Sequence, residues 1–219
     1  MTIVAPSLLG ADLLNLGEAL RHVEEWGTPW IHFDNMDGHF VPNISFGPAF
    51  VAAARKQTDL YLDVHLMLSR PLSYIKKYAD AGADGITIHV EADDTTEAAR
   101  QILSLGKKLG IAINPETPLD QVNPFLEIAD MVLVMTVHPG FGGQKLIPEC
   151  LDKVRELRMN PIVKERGIRI ETDGGIHAGN AKEVVKAGSD TLVMGTGLFL
   201  ADNPKRIIEE IVQGEWQNH

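Results

Sequence analysis

The feature that most constrains this chain is an alternation: short apolar runs of strand length are separated by longer amphipathic segments from end to end. Strands are expected at Ile3–Ser7, Trp30–Asn35, Tyr61–Met67, Gly85–His89, Ile111–Asn114, Met131–Val137, Ile168–Thr172 and Thr191–Met194. Helices are expected between and after them, at Leu13–Trp26, Ala49–Lys56, Pro71–Ala81, Thr95–Leu109, Leu119–Ile128, Pro148–Met159, Ala178–Ala187 and Pro204–Val212. Gly27, Gly82, Gly110, Gly167 and Gly188 stand where helices should stop. A parallel strand pair needs a long crossover, so strict alternation implies parallel strands covered by helices. Eight such units in 219 residues point to an α/β chain folded as a (β/α)8 TIM barrel, one domain over 1–219. No G-x-G-x-x-G joins an early strand to its helix, which disfavours an open dinucleotide-binding sheet.

Composition narrows the partners. Twenty basic against thirty acidic residues give a net charge of −10, which argues against a nucleic-acid surface built on a basic stripe. A phosphorylated small molecule stays compatible, because backbone N–H groups at glycine turns hold such ligands whatever the net charge. No apolar run reaches membrane-spanning length, and the start, MTIVAPSLLGADLLN, lacks the basic region of a signal peptide. With a single cysteine, Cys150, the expected location is the cytoplasm, and the thiol is expected to be structural.

A barrel of this kind carries chemistry at the C-terminal ends of its strands. His32 and Asp34 are two apart in the second strand and so face the same side, inward, while Ile31 and Phe33 face the helices. His65 lies near the end of the third strand, and Asp173 ends the seventh. Buried imidazole and carboxylate side chains need compensation. A divalent metal would supply it, and a hydrogen-bonded polar cluster would also serve; the spacing leaves both open. Glycines gather after the last three strands: Gly140, Gly142 and Gly143 around Phe141, then Gly174 and Gly175, then Gly195 before Thr196. Singly they make tight turns; together, in the loops where such barrels bind phosphate, they suggest an anion site. Met36, Met67 and Met135 are expected to wall the site with apolar surface.

These motifs resemble the ribulose-phosphate 3-epimerase family over nearly the whole chain. The matching stretches are Ala5–Ser7, His32–Asn43, Asp63–Met67, Asn114–Pro118, Met135–Gln144, Asp173–Ile176 and Met194–Thr196. The resemblance implies 3-epimerisation of D-ribulose 5-phosphate to D-xylulose 5-phosphate through a 2,3-enediolate, within the pentose phosphate pathway. It implies His32, Asp34, His65 and Asp173 as ligands of one divalent metal (zinc, iron(II), manganese or cobalt), with Asp34 and Asp173 as the acid/base pair. It implies substrate contacts from Ser7, His65, Gly140, Phe141, Gly142, Gly143, Gly174, Gly175, Gly195 and Thr196, and a homo-oligomer is expected.

Asn35, Gly10 and His138 depart from the family pattern. Asn35 should face the helices and need a hydrogen-bond partner there, and His138 is expected to be a loop residue. Two alternatives stand beside the pentulose-phosphate epimerase: an allulose-6-phosphate 3-epimerase on the same scaffold, and a non-catalytic sugar-phosphate-binding barrel. Related decarboxylases and aldolases carry a lysine in Asp-x-Lys-x-x-Asp, whereas Asp63-Val-His-Leu-Met stands here.

Overall fold

A computed structural model describes residues 2–214. Its strands are β1 (Ile3–Pro6), β2 (Trp30–Met36), β3 (Tyr61–Met67), β4 (Gly85–His89), β5 (Lys108–Ile113), β6 (Met131–Met135), β7 (Arg169–Asp173) and β8 (Thr191–Met194). All pair in parallel, in the order β1-β8-β7-β6-β5-β4-β3-β2. A single parallel bridge, Ser7 to His32, joins β1 to β2 and closes the ring. The expected (β/α)8 barrel is therefore the fold.

The helices are α1 (Leu16–Trp26), α2 (Pro48–Arg55), α3 (Leu72–Asp80), α4 (Thr95–Ser104), α5 (Cys150–Met159), α6 (Pro161–Arg166), α7 (Ala178–Ala187), α8 (Thr196–Phe199) and α9 (Pro204–Gln213). Residues that alternate outward from the strands form the main core against them. Phe33, for example, is fully buried and meets Phe50 of α2 edge-on at 5.8 Å. Burial of one such ring contributes about 1.5–3 kcal/mol. Trp26, at the end of α1, is half-buried against Phe199 at 5.1 Å. Among the described residues no helix is long and apolar enough to cross a membrane.

Several boundaries differ from those expected. The fourth helix stops at Ser104, not Leu109, and β5 begins at Lys108. Gly110 is thus no helix stop but lies inside β5, paired with Thr87 and Met131. A Cβ there would stand 2.0 Å from Thr87 Oγ1, so the glycine makes room for a side chain of the neighbouring strand. The turn is made instead by Gly106 at φ +69°. The segment after β5 is a 3₁₀ helix over Leu119–Phe125, with Pro124 inside it; proline lacks the N–H an α-helix would use there. Cys150, not Pro148, opens α5, which ends at Met159 because Pro161 forces Asn160 into an extended conformation (ψ 128°). The Asn160 side chain then caps α6, which periodicity did not suggest. Two further short elements, a 3₁₀ turn at Leu8–Gly10 and α8, were also not expected, and both border the site.

Candidate active and metal site

The register of β2 and β3 sets Asp34 directly beside His65, and that of β6 and β7 sets Met135 beside Asp173. His32, Asp34, His65 and Asp173 consequently converge, with one donor atom from each within 4.8 Å of the others. His32 Nε2 lies 3.3 Å from Asp34 Oδ1 and 4.0 Å from Asp173 Oδ2. His65 Nδ1 lies 3.4 Å from Asp34 Oδ1 and 3.8 Å from Asp173 Oδ2. Both histidines are fully buried, yet His32 Nε2 makes no hydrogen bond of acceptable geometry. An orphaned buried nitrogen facing two carboxylates, in a mixed N/O set at such spacings, fits a cation held by bonds of about 2.0–2.2 Å.

The two aspartates differ electrostatically. Burial pushes the Asp34 carboxyl upward, but the positive charge of His32 outweighs it and holds the group well below the usual carboxylate range. Burial and the neighbouring Asp34 push Asp173 up to about 7. Burial opposes a charge on His32, but Asp34 and Asp63 overcome it and raise its pKa well above the ordinary histidine value. Burial lowers His65 to about 4.

Around the four lies a support that sequence reasoning left without a role. His32 Nδ1 lies 2.7 Å from Asp63 Oδ2, which directs Nε2 toward the aspartates. Glu171, fully buried near Asp63, is pushed well above the carboxylate range by burial and by Asp63. Period-two parity was the available signal, since Asp63 shares a face with His65, and Glu171 with Asp173. Ser7 Oγ donates to Asp34 Oδ2 at 2.5 Å. Asp37 accepts N–H bonds from His39, Phe40 and Ser69, tying the loops after β2 and β3 together. Asn43 Nδ2 reaches Gly140 O at 2.7 Å, tying the loop after β2 to the one after β6.

Above the aspartates opens a cavity of about 570 Å³. Ser7, Asp34 and Asp173 line it, with Met36, Met67 and Met135, as do all the expected glycines (Gly140, Gly142, Gly143, Gly174, Gly175, Gly195), Phe141 and Thr196. His32 and His65 are buried beside it rather than lining it. Gly175, at φ +68°, has its backbone against Leu146, where a Cβ would meet the Leu146 nitrogen at 2.3 Å. Gly10 packs against Gly195 and Thr196 with no space for a side chain, so its departure from the family pattern is built into the cavity wall. His138 pairs with Glu116 at 3.0 Å on the surface, outside the cavity. Asn35 finds partners for one end of its amide only: Nδ2 donates to Phe33 O and His65 O, while Oδ1 has none. Cys150 is buried, and burial raises its thiol, as suits a structural residue. Trp216 and His219 lie outside the described residues.

Fold and site together define a barrel with a buried histidine–aspartate cluster, able to hold a metal ion, at the foot of a glycine-lined cavity. The chain belongs to the ribulose-phosphate 3-epimerase family, whose model matches residues 3–199. It is 48% identical to a ribulose-phosphate 3-epimerase of Synechocystis sp. over 206 residues, covering 92% of this chain and 89% of that one. It is 44% identical to a Bacillus subtilis protein of the same name over 213 residues, covering 96% and 98%. Among solved structures it resembles 3-keto-L-gulonate-6-phosphate decarboxylase from Vibrio cholerae, at 15% identity and TM-score 0.71 with 99% of each chain covered. It also resembles 3-hexulose-6-phosphate synthase from Salmonella typhimurium, at 20% identity and TM-score 0.70, covering 97% and 99%. At such identities these two structures speak for the fold alone.

Proposed function

We propose that this chain is a ribulose-phosphate 3-epimerase, interconverting D-ribulose 5-phosphate and D-xylulose 5-phosphate by proton transfer at C3. The observation that carries the proposal is the carboxyl pair in one cavity: Asp34 and Asp173 both line it, 3.3 and 4.0 Å from the same His32 Nε2. An inversion next to a carbonyl needs a base on one face and an acid on the other, and this pair meets that need in the forward direction. Asp34 takes the C3 proton; Asp173 returns one from the opposite side. The reverse reaction exchanges the roles.

His32, Asp34, His65 and Asp173 would hold a divalent metal. When bound, it supplies Lewis-acid stabilisation of the negative charge that develops on the substrate oxygens. The ligands' mixed N/O character suits zinc, iron(II), manganese and cobalt alike. Met36, Met67 and Met135 keep water from the reacting carbons and so strengthen local electrostatics. The phosphate is assigned to the N–H groups around Gly142–Gly143, Gly174–Gly175 and Gly195–Thr196, and Ser7 orients Asp34.

The test compares kcat/KM of metal-loaded protein on ribulose 5-phosphate and allulose 6-phosphate, while following exchange of the C3 hydrogen with solvent deuterium. A preference for the hexulose phosphate would move the assignment to the longer sugar. Tight sugar-phosphate binding without exchange would make the barrel a binding protein.

A further inference from the structure

His65 touches a second histidine. Its Nε2 lies 2.8 Å from His89 Nε2, and the two rings stack with centroids 5.0 Å apart. Two ring nitrogens in hydrogen-bond contact must divide the roles, one donating and one accepting. His89 Nδ1 in turn lies 3.1 Å from Glu91 Oε2. Burial opposes a charge on Glu91, but the bonds from His89 and from the Asn114 N–H prevail and hold it at about 2, so it is an acceptor. His89 Nδ1 therefore donates to Glu91. In a neutral His89 the remaining lone pair sits on Nε2 and accepts from His65 Nε2–H. A neutral His65 then has its own lone pair on Nδ1, the atom 3.4 Å from Asp34 Oδ1.

We propose that Glu91 and His89 are positioning residues which fix His65 as its Nε2–H tautomer, so that Nδ1 is offered to the metal. The two metal-facing imidazoles are set in opposite senses: Asp63 on Nδ1 turns His32 to present Nε2, and His89 on Nε2 turns His65 to present Nδ1. The chain ends on a braced carboxylate. Glu91 Oε1 accepts from Asn114 N at 2.8 Å, and Lys153 Nζ of α5 holds the Asn114, Pro115 and Thr117 carbonyls of that same loop. Phe40 covers His89 with its ring centroid 4.7 Å away.

The inference rests on the metal assignment above, and the test separates the two. Long-range ¹H–¹⁵N correlation on metal-free, histidine-labelled protein reads each tautomer without any metal. The expected result is hydrogen on His65 Nε2 and on His89 Nδ1; hydrogen on His65 Nδ1, as a doubly protonated His89 would force, overturns the proposal. Chelator-competition titration of zinc then reads the consequence. His89→Leu should weaken zinc binding about 10–100-fold. His89→Gln, whose amide oxygen still accepts from His65, should recover most of that loss. Unchanged zinc affinity in His89→Leu overturns the positioning role. A wild-type protein with the stated tautomers that fails to bind zinc would strike the metal assignment alone.

Discussion

Ser7 Oγ donates to Asp34 Oδ2 at 2.5 Å, which leaves Asp34 Oδ1 to His32 and His65. One carboxylate thus divides its two oxygens between the end of β1 and the histidine pair. A hydrogen bond to a charged group is worth about 1.5–3 kcal/mol. Ser7→Ala should accordingly lower kcat/KM by about 10–100-fold while leaving zinc affinity nearly unchanged, since Oδ1 keeps its neighbours. Steady-state kinetics beside a metal titration would decide; a kcat/KM close to that of the wild type would show the hydroxyl to be incidental.

Asp34→Asn and Asp173→Asn should each lower turnover by at least about 10²-fold, the lower end of what a positioned acid or base contributes. Near-normal rates in either variant would sink the acid/base assignment. Following solvent deuterium at C3 separates the two roles, because a variant that still removes the proton but cannot return one exchanges without inverting.

Metal binding should be strongly pH-dependent. Asp173, pushed up to about 7, and His32, raised above the ordinary histidine value, both carry protons in the metal-free protein at mildly acidic pH. A ligand set must shed those protons, so zinc affinity should fall as pH drops below about 7, by about tenfold per unit for each proton displaced. Titration calorimetry in buffers of different ionisation enthalpy counts the protons released, and no release at mildly acidic pH would contradict the electrostatics. The stability sign runs the other way. A carboxyl raised in the folded state contributes stability below 3.8 that is lost as pH rises to about 7. Metal-free Asp173→Asn should therefore gain on wild type across that window in chemical denaturation.

Asn35 is fully buried, and its Oδ1 has no hydrogen-bond partner. Orphaning such an atom costs about 1–3 kcal/mol. Asn35→Val should raise the denaturation midpoint, by about 1 kcal/mol in stability, with kcat unchanged because the side chain faces away from the cavity. A destabilised variant would mean that the bonds from Nδ2 to Phe33 O and His65 O matter more than the orphan.

The architecture was legible because two periods, 2 and 3.6, alternate without interruption, and the parity of β2 and β3 pointed His32, Asp34, His65 and Met67 inward. Gly110 was misread since a glycine within a strand and one at a helix end look alike in one dimension; only Thr87 on the adjacent strand tells them apart. Asp63 and Glu171 obeyed the same parity as the residues beside them, yet nothing local marks a carboxylate as support rather than ligand. His89 ends its expected strand, but its value lies in a 2.8 Å contact to a residue 24 positions away, which no spacing rule encodes.

The full ladders of the barrel run from β2 round to β1, and the last seam is closed by the lone bridge between Ser7 and His32. His32 is also one of the cluster that draws β2, β3 and β7 together. A cation there would act as a clasp, tightening the ring at the place where backbone pairing is thinnest. Stripping it should let the barrel breathe first along β1 and β2, so that loss of metal is felt as an opening stave rather than as a loosened helix.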